Sequence, residues 1–166
     1  MKLDKRRRRE NKTNYNKRLI LLKGESPRLV IRKTNRYLIL QIIESVHAQD
    51  TVLHSFNTKD LLKLGWLETK KGSLKSLGAA YIGGIVLGNK AKDLKDRLVV
   101  DTGLIPSTKG SRIYAAIKGV SDSGIKINYD KEMAPSKERI EAENTKMIND
   151  ILNKIKEKKK WENEIH

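Results

Sequence analysis

The stretch RLVIRKTNRYLILQII, residues 28 to 43, constrains the fold of this chain more than any other. It is β-branched and alternates about Thr34 and Asn35, the pattern of a β-hairpin in which Asn35 suits a left-handed turn position. A two-residue loop there would set Lys33 opposite Arg36 and pair Arg32 with Tyr37, Val30 with Ile39 and Arg28 with Gln41. Leu29, Ile31, Leu38, Leu40 and Ile42 then share one face, which belongs to a core. The opposite face carries Arg28, Arg32, Tyr37 and Gln41 around Val30 and Ile39. Guanidinium forks, a phenol ring and an amide on one wall suit RNA phosphates, bases and 2′-hydroxyls. They also suit an ordinary solvated sheet face on which Arg32 stacks across the ladder on Tyr37.

Charge favours the RNA reading. Of the net charge of +16, residues 1 to 36 carry +11, with 14 Lys and Arg against three acids. Residues 37 to 129 carry +5, and residues 130 to 166 carry nine of each sign. A polyanion that meets the N-terminal fifth of the chain explains so local an excess, because each neutralised phosphate releases counterions. Residues 1–14, which include Arg6, Arg7, Arg8, Arg9 and Lys12, read as an arm without periodicity, expected to be disordered without a partner. The rival is a basic tail that only aids solubility.

A single α/β domain follows over residues 15–129. KGESP (23–27) is a turn, and Pro27 opens the first strand. DTVLHSF (50–56) makes a third strand after a loop around Ala48. TKDLLKLG (58–65) reads as a short helix capped by Thr58 and stopped by Gly65. Ser73 or Ser76 caps a longer helix that runs to about Leu94. Its glycines, Gly78, Gly83, Gly84 and Gly88, each cost about 1 kcal/mol relative to alanine, which close approach to a sheet would offset. RLVVD (97–101) reads as a buried strand, TGLIPSTKG as a loop, and SRIYAAIKGVSDSG as a helix with Ile113, Ala116, Ile117 and Val120 inward and Gly124 as its stop. Strand, helix and strand in this order imply a mixed sheet with packed helices. Residues 130–166 form a helical extension from Ser136, whose Ile140, Met147, Ile148, Ile151, Leu152 and Ile155 make one stripe for packing on the domain or a protein neighbour. Lys156 and Lys158 to Lys160 are placed to reach phosphate.

Several functions are excluded by what is missing. The chain has no cysteine, which removes thiol catalysis, disulfides and the common zinc frameworks and fits a reducing cytosol. The longest apolar run, Gly78 to Gly88, is too short and too glycine-rich to span a bilayer. LILLK after the arginines has no small-residue cleavage site, so a signal peptide is not expected. GAAYIGGIVLG lacks the GxGxxG of a dinucleotide loop, and no GxxxxGK[ST] occurs. His47, His54 and His166 lie in no metal-ligand spacing. The enzymatic alternative is a metal-dependent nuclease, for which Asp50, Asp101 and Asp60 are the candidate carboxylates, although Asp101 better suits bracing the loop after its strand.

Three segments together, NKTNYNKRLILLKGESPRLVIRKTNRYLILQII, GSLKSLGAAYIGGIVLGNKA and LVVDTGLIPSTKGSRIYAAIKGVSDSGIKI, resemble in order and spacing the archaeal form of large-subunit ribosomal protein eighteen, whose eukaryotic relative is large-subunit protein five. The likeness spans roughly residues 10 to 130. It implies a ribonuclease H-like motif without catalytic carboxylates, and a structural constituent of the cytoplasmic ribosome that needs no cofactor, metal or membrane. The implied partners are 5S ribosomal RNA, 23S ribosomal RNA in the central protuberance, and neighbouring large-subunit proteins. Carried onto this chain, the arm would bring Arg6 to Arg9, Lys12, Tyr15, Lys17 and Arg18 to RNA. The hairpin would bring Arg28, Arg32, Asn35, Arg36 and Tyr37, and STKGSR would add Lys109 and Arg112.

Overall fold

A computed structural model describes residues 3–47, 49–67, 72–94, 96–141 and 148–155. The hairpin is present as β1 (Arg28–Lys33) and β2 (Leu38–Val46), paired antiparallel. Its loop is four residues long rather than two: Arg28 stands opposite Ile43, Arg32 opposite Ile39 and Lys33 opposite Leu38. The Thr34 hydroxyl explains the longer loop. It donates to the Tyr37 carbonyl at 2.6 Å and accepts from the Tyr37 N–H at 3.0 Å, while the Thr34 N–H meets the same carbonyl at 2.9 Å. Asn35 is not left-handed; among described non-glycine residues only Asn11, Glu25 and His47 are. The pairing therefore differs from expectation by two residues, an even shift that leaves the side chains of the paired residues on their expected faces. Leu29, Ile31, Leu38, Leu40 and Ile42 are all fully buried.

β3 (Gln49–Asn57) pairs antiparallel with β2, with an irregularity between Ile42 and Ile43. His47 turns the chain between them at φ 50°; Ala48 lies outside the described residues. β4 (Val99–Asp101) joins β1 in parallel, which gives the order β3-β2-β1-β4. Leu98 just before it and Asp101 at its end are buried, but Val99 is exposed, and the strand lies last in the order, so it is not the fully buried strand expected.

Two helices cover the core face, α3 (Leu77–Lys90) and α4 (Arg112–Asp122). Ser76 caps α3 by accepting from the Ala79 N–H at 3.3 Å. α3 stops at Lys90, short of Leu94. The inward residues of α4 and the left-handed Gly124 that follows it are as expected. Thr58 is not a cap. It is buried at the start of a 3-10 helix (Thr58–Leu64), where its hydroxyl accepts from the Leu38 N–H at 2.9 Å and donates to the Leu74 carbonyl at 2.6 Å.

Of the four glycines of α3, Gly84 and Gly88 answer to α4 and the residue that ends it, Gly78 to Ile140 and Ile148 of the C-terminal segment, and one to the sheet. A methyl group on Gly84 would strike the Ala116 carbonyl of α4, and one on Gly119 of α4 would strike the Tyr81 carbonyl of α3. Only Gly83 faces the sheet, where a Cβ would lie 3.1 Å from the Leu40 side chain. The two helix backbones thus touch, and this contact offsets the entropic cost of the glycines. Gly119→Ala is expected to lower stability by about 1–3 kcal/mol despite its better helix propensity, because a backbone carbonyl cannot swing aside as a side chain can. A urea midpoint at or above that of the unchanged protein would show that the helices do not touch there.

The C-terminal stripe packs on its own domain. α5 (Lys137–Glu141) starts after Ser136, whose Oγ accepts from the Arg139 N–H at 3.4 Å. Ile140, Ile148 and Ile151 are buried, and Leu152 and Ile155 pack against the core. Residues 148–155 are helical; Met147, Lys156 and Lys158 to Lys160 lie outside the described residues. No helix among the described residues is long and apolar enough to cross a membrane.

Candidate nucleic-acid interface

The N-terminal segment carries more regular structure than its sequence suggests. Arg6–Arg9 form one helical turn, α1, and Tyr15–Lys23 form α2. Asn14 caps α2 by accepting from the Lys17 N–H at 3.1 Å. LILLK reads poorly as a helix because it has no apolar stripe, and in the structure Leu19 and Ile20 remain 54% and 71% exposed. Glu10, just after α1, pairs with cations on either side of it: its carboxylate is 2.9 Å from Arg6 and 2.8 Å from Lys12. The Arg7 Nε donates to the Thr13 hydroxyl at 2.9 Å, and the Lys5 ammonium sits 4.6 Å from the centre of the Tyr15 ring.

α2 lies across the face of the sheet that the alternation leaves polar. Arg18 reaches Asp50 on β3 at 3.1 Å, and the Lys17 Nζ donates to the Gly103 carbonyl, beyond β4, at 3.3 Å. That face is consequently not open along its length. Arg28 is 2% exposed, Val30 5% and Ile43 8%.

Arg28 is therefore not a solvated residue. Its Nη2 meets Asp50 at 2.8 Å and donates to the Ser45 hydroxyl at 2.7 Å, and its Nη1 is 3.4 Å from Asp101. Asp101 also receives Arg32 at 3.2 Å, and its other oxygen accepts from the Gly103 N–H at 2.8 Å, the loop brace expected from sequence. Asp50 and Asp101, the nuclease candidates, are thus engaged by Arg18, Arg28 and Arg32. Asp60 is 3.4 Å from Lys63, and no three His, Cys, Asp or Glu among the described residues are grouped to hold a metal ion.

Burial alone would raise the pKa of Asp50. The Ser45 hydroxyl and the Arg18 and Arg28 guanidinium groups outweigh it and hold the carboxyl below its ordinary value. A lowered folded-state pKa stabilises the fold above the unfolded-state value, near pH 4, and that contribution is lost as pH falls through the folded-state value. Asp50→Asn is expected to flatten the acid limb of stability below about pH 4 in urea titrations. An acid limb as steep as in the unchanged protein would mean that the arginines do not act on this carboxyl.

Between the arm and the sheet lies a cavity of about 480 Å³. Arg7, Lys12, Lys17, Arg18, Arg32 and Lys33 line it, and Asp101 is the one acid among its lining residues. Both Asp101 oxygens are already occupied. Five of these six cations are sequence-expected site residues, and they come from α1, α2, β1 and, for Lys12, the link between the two helices. Lys33 is the addition: alternation marks it only as the end of a strand, yet it borders this cavity and a second cleft that contains Lys109 and Arg112.

The remaining expected residues lie elsewhere. Arg6, Arg8 and Arg9 project to solvent from α1. Asn35 and Arg36 are exposed at the hairpin tip, outside the cavity. Gln41 stands opposite Val30 on the sheet, half-buried. Tyr37 is displaced: it belongs to the loop, does not face Arg32, and packs against the core.

Residues 1–96 match the family model described as ribosomal large subunit proteins 60S L5 and 50S L18. The large ribosomal subunit protein uL18 of Korarchaeum cryptofilum is 46% identical over 139 residues, which cover 83% of this chain and 69% of that protein. The uL18 of Methanoregula boonei is 36% identical over 146 residues, 87% of this chain and 82% of that protein. The uL18 of Caldivirga maquilingensis is 39% identical over 140 residues, 83% and 66% of the two chains.

Proposed function

This chain belongs to the family of ribosomal large subunit proteins 60S L5 and 50S L18, and from that membership we propose that it binds 5S ribosomal RNA and helps attach it to 23S ribosomal RNA in the central protuberance. Membership makes it a structural component of the cytoplasmic large ribosomal subunit rather than an enzyme. The finer reading is supported by one observation above all: the cation-lined cavity between the arm and β1, where charges scattered over the first 33 residues converge and three of them, Arg7, Lys17 and Lys33, form no ion pair with a described residue.

Such a site suits an RNA backbone. Each lysine or arginine there that meets a phosphate gains by releasing a condensed counterion, and α1 and α2 bring those charges to one place before binding. Phosphate contacts position a protein without reading sequence, so preference for one RNA depends on its folded shape. Competition between 5S ribosomal RNA and bulk transfer RNA at physiological salt tests the proposal. A preference of at least an order of magnitude for the 5S RNA is expected. Equal displacement by transfer RNA would reduce the protein to a general basic binder.

A further inference from the structure

We propose that the free edge of β3, over residues 49–52, docks an extended segment of another large-subunit protein, one that alternates basic and apolar residues and joins the sheet as a fifth strand. The class of partner rests on the family membership above and not on the 5S reading. β3 is the outer strand of the order β3-β2-β1-β4, and its residues 49–53 are all exposed. Among the described residues, no backbone hydrogen bond reaches residues 49–54 from anywhere but β2.

An exposed edge strand is a template for pairing with another chain, and proteins blunt such edges with bulges and charged side chains. β3 carries both devices, but in one half only. The register shift that leaves Leu53 without a partner on β2 is a bulge. Beyond it, the Lys90 Nζ donates to the Ser55 carbonyl at 3.5 Å and lies 5.5 Å from the centre of the Phe56 ring. Residues 49–52 have neither device. Val46, Val52 and Leu53, which are 58%, 47% and 37% exposed, add apolar surface around this half, and a strand laid along it would cover part of that surface.

Charge selects the occupant. Residues 37–58 are the longest run of the sequence without Lys or Arg, in a chain that has 36 of them. An RNA backbone finds no cation in this run to displace its counterions. A second copy would bring together two chains of net charge +16, which repel. The edge presents a carboxylate instead: Glu44 is exposed, stands opposite Thr51 and forms no ion pair with a described residue. A partner residue beside Thr51 would lie two strand spacings, about 10 Å, from Glu44 across the small threonine side chain, a span that an extended lysine or arginine covers. The next partner residue falls on the other face, beside Val52, where an apolar side chain fits.

Two measurements on assembled large subunits test this. Backbone hydrogen exchange at residues 49–53 should slow by about tenfold or more between the free full chain and the subunit. Because the chain has no cysteine, Thr51→Cys supplies a single thiol for a benzophenone maleimide. Its photo-adduct in the subunit is expected on a protein segment in which Lys or Arg alternates with apolar residues. That segment, made as a peptide, should bind the free full chain, and Val52→Lys, which puts a charge on the open edge, should weaken binding by about tenfold without lowering the urea midpoint. Unchanged exchange, no protein adduct, or an adduct with RNA or with a second copy of this chain would overturn the docking site. Equal peptide binding by Val52→Lys would overturn pairing at this edge. None of these outcomes depends on a preference for 5S RNA, so the two readings fail separately.

Discussion

Asp101→Ala is expected to cost about 3–5 kcal/mol, the loss typical of removing one partner from a buried ion pair. Its carboxylate answers two guanidinium groups and one backbone N–H, and Arg28 beside it is 2% exposed. Without Asp101, Arg28 retains Asp50 and Ser45 but no longer has a partner on β4. Urea unfolding checks this by a lowered midpoint at constant slope. Asp101→Asn should lose less, since its amide oxygen can still accept from Gly103. The combined replacement Arg28→Met and Asp101→Leu should recover much of the loss, because apolar substitution of a whole buried pair is often neutral. A loss below about 1 kcal/mol in Asp101→Ala would mean that water reaches Arg28, as at a surface pair.

The stability of this network bears on function. Arg28, Asp50 and Asp101 tie β1, β3 and β4 together beneath the arm, and Arg18 fastens α2 to the same carboxylate that holds Arg28. The arginines that face inward thereby position those that face outward.

The second large effect concerns the outward set. Arg6–Arg9→Gln removes four charges from α1, whose salt bridges to Glu10 and Asp4 are exposed and hold little energy. If each of the four meets phosphate, the log–log salt slope for 5S RNA falls in magnitude by about three, and the fold is unaffected. Measured from about 50 to 200 mM salt, the variant should therefore lose affinity far less steeply than the unchanged protein, starting from a weaker value. A slope equal to that of the unchanged protein would show that α1 stays away from RNA.

Much of this architecture is legible in the residues, for identifiable reasons. The two faces of the hairpin follow from parity, which survives an error of two in the register; the partners do not, since they depend on the Thr34 hydroxyl closing a four-residue loop. The same count puts Tyr37 on the ladder, whereas in the structure it lies in the loop and turns toward the core. Alternation places Arg28 on the polar face but is blind to Asp50 and Asp101, which lie 22 and 73 residues away along the chain. The glycines of α3 announce a close approach without naming its partner. Only the matching Gly119 on α4 hints that another helix, not the sheet, comes near. α2 has no apolar stripe to reveal it, because polar contacts, Arg18 with Asp50 and Lys17 with Gly103, fasten it to the sheet.

The candidate site was legible as charge and not as shape. Arg7, Lys12, Lys17, Arg18 and Arg32 carry an obvious excess, but their convergence on one cavity requires α2 to double back over the sheet. Lys33 gives no sign in the sequence beyond closing a strand.

Affinity for 5S ribosomal RNA across a range of salt, compared between two triple variants of equal charge loss, puts the cavity itself to the test. One is Arg7→Gln, Lys17→Gln and Lys33→Gln, at the cavity; the other is Lys59→Gln, Lys92→Gln and Lys126→Gln, exposed positions that line neither it nor the second cleft. If the RNA backbone seats between arm and sheet, the first variant lowers the slope by about two to three and the second leaves it nearly unchanged. Equal reductions in both would mean that net charge alone draws the RNA, and that the cavity is not where it binds.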